Sequence, residues 1–226
     1  PVPDATPAPA RIVHVVPGVG KTATTVAIVD RGIYRFLVAG RSVVGSHWSP
    51  GLNGEPRPPP TELAFASSAL QTLGLYATCP WFLQRPPATR VEKSLPGNHP
   101  PPQCGAKLRA LFLGLGSGTV PAYYSRHGVV ADIVEKYSAV IASIKKYITG
   151  PIEHGGSKLF ASDALKFVTR GRLKTKRKRY DVVVHDLFVG GEGALPLLRA
   201  SVFDKLASNF MTKTGVLVVN FLGASN

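Results

Sequence analysis

Apolar positions along the chain follow three different spacings. Between 11 and 44, apolar and polar residues alternate in short runs at 12–16, 24–29 and 33–38, divided by glycine turns, the mark of half-buried strands in a small β-meander. From 61 to 76 the spacing becomes helical. Thr61 stands at the N-cap, Glu62 lies in the first turn, and Leu63, Phe65, Ala66, Ala69, Leu70 and Leu73 share one face, which predicts a packing helix. From 108 onward the apolar runs are continuous, at 111–113, 129–134, 180–185 and 215–222, as in strands covered on both faces of a parallel sheet. Their order is strand, glycine turn, helix, strand, acid, helix, strand, Asp163, strand, Asp186. The predicted class is α/β with a Rossmann-like sheet.

Prolines divide the remainder. Positions 1–10 read as an extended arm, since proline withholds backbone donors and little apolar surface is present to fold it. The meander and a loop fill 11–60, and the packing helix and a proline-rich loop fill 61–107. The Rossmann-like domain runs over 108–226. Trp48, Trp81 and Phe82 lie in or beside the loops, where aromatics commonly anchor chain to core. Gly20-Lys21-Thr22 resembles the end of a phosphate-binding loop, but the glycine required five positions earlier is Val15.

The candidate chemistry gathers at the ends of the predicted parallel strands. Gly114, Gly116 and Gly118 follow the first, where absent Cβ atoms let the backbone turn tightly and approach a ligand. Glu135 ends the second, suitably placed for a ribose diol; Asp132, three residues earlier, is its rival. Asp163 and Asp186 follow the third and fourth strands, where side chains project into the crevice that open α/β sheets use for ligands. Each aspartate also suits helix or turn capping, and the glycine triplet alone also suits an ordinary strand-to-helix turn. His185 precedes Asp186 on a strand whose side chains alternate, so it reads as a satisfied buried histidine. Tyr123 and Tyr124 are open to either packing or cofactor contact.

Over about 32 to 222, and most closely from 108, the chain resembles the class I S-adenosylmethionine-dependent fold in its spermidine-synthase-like branch, which holds aminopropyltransferases and some protein methyltransferases. The resemblance implies a class I methyltransferase sheet with a small N-terminal β-meander, and S-adenosylmethionine as cofactor. Gly114, Gly116 and Gly118 would lie against the methionine moiety and ribose, and Glu135 would hold the ribose hydroxyls. Asp163 and Ala164 would meet the adenine amine, and Asp186 would face the reacting centre as the catalytic acid or base. The departures argue against polyamine synthesis. The second acid of the family's fourth-strand motif is Val189, and 36–44 carries no carboxylate, so a polycationic amine would lack the opposite charges it needs. Methyl transfer asks less.

Charge changes the expected partners. Against 13 acids the chain carries 27 Lys and Arg, a net charge of +14, which favours polyanions. The densest run, 166–179, has no acid, and Arg170, Arg172, Lys174, Lys176, Arg177, Lys178 and Arg179 are the candidate RNA contacts, through phosphate rather than base stacking. A solvated loop or a localisation signal is the plainer reading of such a run. Two cysteines, Cys79 and Cys104, point to neither a disulfide framework nor a zinc site, and no uninterrupted apolar run reaches membrane-spanning length. The expected setting is intracellular, cytoplasmic or mitochondrial, with no membrane partner.

The run at 215–222 reads as the fifth strand, so the sheet is expected to lack its last two strands. Either they lie outside the sequence, or a protein neighbour covers the C-terminal sheet edge. Two functions remain open: a methyltransferase acting on RNA or on a protein of the translation machinery, and a catalytically inactive structural subunit of a ribonucleoprotein such as a mitochondrial ribosome.

Overall fold

The computed structural model describes residues 9–18, 24–40, 42–48, 70–78, 108–147, 156–171, 179–189, 192–193 and 195–220. The N-terminal part is an antiparallel sheet in sequential order, β1 (Ala10–Val16), β2 (Val26–Arg31), β3 (Tyr34–Ala39) and β4 (Ser42–Trp48). The meander expected from the alternation is present with a fourth strand. Trp48, expected in or beside a loop, ends that strand and stacks on Tyr34 with ring centroids 5.1 Å apart.

A polar row crosses the meander, because Arg11 pairs in register with Asp30, Asp30 with Arg35, and Arg35 with His47. Arg35 donates to both carboxylate oxygens of Asp30, at 2.6 and 2.8 Å, and its third nitrogen donates to the Tyr147 carbonyl at 2.9 Å. Burial pushes the Asp30 carboxyl up, but the Arg35 and Arg11 guanidiniums hold it below its ordinary value. His47 is fully buried, and desolvation, helped by the Arg35 charge, lowers its pKa to about 4.

The second sheet is wholly parallel, in the order β11-β8-β5-β6-β7. Its strands are β5 (Arg109–Leu113), β6 (Val130–Glu135), β7 (Leu159–Ala161), β8 (Tyr180–His185) and β11 (Met211–Val219). The helices are α1 (Leu73–Thr78), α2 (Thr119–Arg126), α3 (Ser138–Tyr147), α4 (Ala164–Arg170) and α5 (Ala200–Lys205); a two-stranded ribbon, β9 (Phe188–Val189) with β10 (Glu192–Gly193), follows β8. The continuous apolar runs are explained by two cores. Ala110 and Phe112 face one, with Val26, Ile28 and Leu37 of the meander, Leu75, Tyr124 and Ile144. Leu111 and Leu113 face the other, with Val168, Val202, Leu206 and Phe210. Strands covered on both sides leave no polar face for alternation to show.

The packing helix departs from its predicted face. Leu70 and Leu73 are exposed, whereas Gly74 and Leu75 are buried. The cause is close approach: a Cβ at Gly74 would stand 2.7 Å from Val218 Cγ2 and 2.8 Å from Val182 Cγ1, so the helix settles on Gly74 and Leu75 and turns Leu70 and Leu73 outward. Thr61 to Ala69 lie outside the described residues, as do the arm 1–8, Trp81, Phe82 and both cysteines. Among the described residues β11 is an edge of the parallel sheet, and no helix is long and apolar enough to cross a membrane.

Candidate cofactor and acceptor site

The glycine bend needs its glycines. Gly114, Gly116 and Gly118 have φ of +96°, +54° and +75°, the left-handed region that side chains disfavour. A Cβ on Gly114 would also strike the Asp186 carbonyl oxygen at 2.2 Å. On Gly116 it would stand 3.1 Å from the Val44 carbonyl and 3.9 Å from Asp186 Oδ2, in the gap between the meander and the end of β8. Gly118 precedes α2, and its carbonyl accepts the Ala122 N–H at 3.0 Å.

Glu135 lies beside this bend. The Leu115 N–H donates to its Oε2 at 3.1 Å, and the Tyr137 N–H donates to its Oε1 at 2.8 Å. These two bonds use about half of a carboxylate's acceptor positions and leave others for a ribose diol. Burial raises the Glu135 pKa, and the backbone N–H groups of Tyr137, Leu115 and Lys136 oppose that shift. Asp132 is removed from the contest by the pleat. On the opposite face of β6 it accepts from Arg109 Nη2 at 2.7 Å, the Lys158 N–H at 2.8 Å and the Tyr180 hydroxyl at 2.9 Å.

Asp163 caps α4, its Oδ1 accepting the Lys166 N–H at 3.0 Å, while Oδ2 lies 3.7 Å from Lys136 Nζ. Ala164 is buried. The Lys136 contact brings Asp163 to the Glu135 side of the crevice, because Lys136 is the residue after Glu135. Asp186 stands over the bend. Gln71 Nε2 donates to its Oδ2 at 3.0 Å and Asn220 Nδ2 to its Oδ1 at 2.8 Å. Neither amide is among the residues expected from sequence. Asn220 carries the same signal as Glu135, a polar residue just past a parallel strand, whereas Gln71 is only one polar position within a helical spacing.

The other sequence expectations resolve as follows. His185 is buried against Phe203, ring centroids 6.2 Å apart. Burial lowers its pKa, so it sits as a neutral ring on the face away from Asp186. Tyr124 is a packing residue, fully buried edge-on to Phe112, and its hydroxyl donates to the Gln71 carbonyl at 3.0 Å. The meander walls the bend: the Ser46 carbonyl accepts from the Ser117 and Thr119 hydroxyls at 3.3 Å each, and a Cβ on Gly45 would meet Ser117 at 2.7 Å. Of the candidate RNA contacts, Arg170 ends α4, and Arg179 donates to the Met211 carbonyl at 3.0 Å. Arg172, Lys174, Lys176, Arg177 and Lys178 lie outside the described residues. No cluster of metal-ligating side chains occurs among the described residues.

No family model matches the sequence. A probable spermidine synthase from Corynebacterium glutamicum superposes with a TM-score of 0.62 at 14% identity, covering 92% of this chain and 63% of its own. Human methyltransferase-like protein 13, in complex with SAH, covers 67% of this chain and 62% of its own at 20% identity and a TM-score of 0.48. An N-terminal histidine N-methyltransferase of Emericella nidulans is 33% identical over 125 residues, which are 55% of this chain. The matched stretch spans 22% of that relative's length. With its parallel strand order, glycine bend and strand-end acid, the chain has the class I S-adenosylmethionine-dependent methyltransferase fold, preceded by an antiparallel N-terminal sheet.

Proposed function

We propose that the protein binds S-adenosylmethionine and transfers its methyl group to a nitrogen nucleophile, as a methyltransferase of the spermidine-synthase-like branch. One observation carries the reading: the Glu135 carboxylate grips the backbone of the glycine bend over which Asp186 is held. The three positive-φ glycines form a cradle that Cβ atoms would fill, and Glu135 keeps acceptor capacity for ribose hydroxyls. Asp163 and Ala164 then line the adenine end. Held by the glycine bend and Glu135, S-adenosylmethionine would supply a sulfonium methyl for the acceptor's lone pair, with the electron pair of the broken C–S bond going to sulfur. Asp186 orients the acceptor nitrogen by accepting one of its N–H groups, and it or solvent takes the proton that nitrogen loses.

The acceptor class we infer is a peptide N-terminal histidine, the group named for the Emericella relative. Titration calorimetry with S-adenosylmethionine tests the cofactor, with binding expected for the parent and lost in Gly116→Arg and Glu135→Ala. Mass spectrometry of a histidine-first peptide, beside its N-acetylated form, tests the acceptor. A second reading, association with RNA or the translation machinery, is supported by the excess of 27 cations over 13 acids. RNA that copurifies and leaves at high salt is its test.

A further inference from the structure

Asp186 is bound by two neutral donors from opposite sides. Gln71, before α1, donates to one carboxylate oxygen, and Asn220, after β11, donates to the other. Amides orient a carboxylate without cancelling its charge, whereas a lysine or arginine would do both. Among the described residues no cation pairs with Asp186, although cations outnumber acids two to one along the chain. The clamp is itself braced. Gln71 is buried, and the hydroxyl of the fully buried Tyr124 holds its carbonyl at 3.0 Å. Asn220 is fixed by its own N–H, which donates to the His185 carbonyl at 2.9 Å and extends the β11–β8 ladder to the residue before Asp186.

Oδ2, the oxygen that Gln71 holds, is also the one 3.9 Å from the place a Gly116 Cβ would take. A negative charge is thus fixed at the mouth of the glycine cradle. A negatively charged or purely acceptor group placed there would meet a carboxylate that, among the described residues, no cation offsets. A cationic group carrying N–H donors would meet a preoriented acceptor.

Resting on the methyltransferase reading of this site, we infer that Gln71 and Asn220 are positioning residues that make Asp186 the receptor for a cationic acceptor molecule that carries N–H groups, such as a peptide with a free N-terminus. They act through Asp186, to which each donates one hydrogen bond. Binding of histidinamide to the protein saturated with S-adenosylhomocysteine, followed by calorimetry, is the test, because it needs no turnover. Asn220→Leu and Gln71→Leu each weaken histidinamide binding by about tenfold or more, while S-adenosylmethionine affinity stays within about threefold of the parent. Asn220→Ala, which removes the donor without adding charge, shows the same loss. With a histidine-first peptide the variants raise KM for the peptide more than they lower kcat. Equal binding of histidinamide by the parent and Asn220→Ala overturns the inference, as does absence of binding to the parent. Failure of the methyltransferase reading shows separately, as absence of S-adenosylmethionine binding.

Discussion

The Glu135 carboxylate accepts the backbone N–H of Leu115 at 3.1 Å, so the acid that ends one strand fastens the turn that leaves its neighbour. Bend and acid are therefore one unit before any ligand arrives. Replacing Glu135 with alanine strands the buried Leu115 N–H, at a cost of ~1–3 kcal/mol, and frees the half-buried Tyr137 N–H. Glu135→Ala is expected to lower the thermal midpoint and to weaken S-adenosylmethionine binding by about tenfold or more, read by calorimetry at a temperature where the variant is folded.

Asp132 provides the contrast. It joins Arg109, Lys158 and Tyr180 on the far face of the sheet, a buried network whose disruption costs about 3–5 kcal/mol. Asp132→Ala is expected to be the more destabilising of the two substitutions in chemical denaturation, yet to leave cofactor affinity of the folded fraction unchanged. Equal loss of affinity in both variants would refute the division of labour between the two carboxylates.

The glycines of the bend are not equivalent. At Gly114 a methyl group meets the Asp186 carbonyl at 2.2 Å, backbone that cannot give way, whereas at Gly116 the nearest atom is 3.1 Å away. Gly114→Ala is expected to cost more than about 3 kcal/mol of stability, and Gly116→Ala about 1–2 kcal/mol, the strain of its positive φ. Urea unfolding of the two variants checks the order. The milder variant is the one in which lost cofactor binding can be attributed to the filled cradle.

His47 makes stability depend on pH. Its pKa falls from an ordinary 6.5 to about 4 on folding, so the unfolded chain binds the extra proton between those values. The stability tied to its neutral ring is fully present above pH 6.5 and is lost as pH falls towards 4, by up to about 3 kcal/mol. His47→Leu is expected to flatten the decline of the thermal midpoint across that window. An unchanged slope would mean that another group governs it.

Much of this was legible from residue order alone. Runs such as 111–113 and 180–185 announce strands buried on both faces, and Gly114, Gly116, Gly118 and Glu135 mark the crevice because strand ends and side-chain-free turns leave chemical traces in sequence. The face of α1 was not legible. Amphipathic spacing assumes that larger apolar residues pack inward, yet Gly74 packs inward because Val182 and Val218 leave room only for backbone. The Asp186 clamp was hidden for another reason: Gln71 and Asn220 stand 115 and 34 positions from their partner, and pairings over such separations follow from tertiary closure rather than local pattern.

Arg35 grips Asp30 within the meander and the Tyr147 carbonyl at the end of α3, while Tyr147 and His14 meet at 3.2 Å. With Ser117 and Thr119 tying the opposite side to β4, the two sheets are riveted at both flanks. They form a single mechanical block: heating should melt them together, in one calorimetric peak, rather than releasing the antiparallel sheet first.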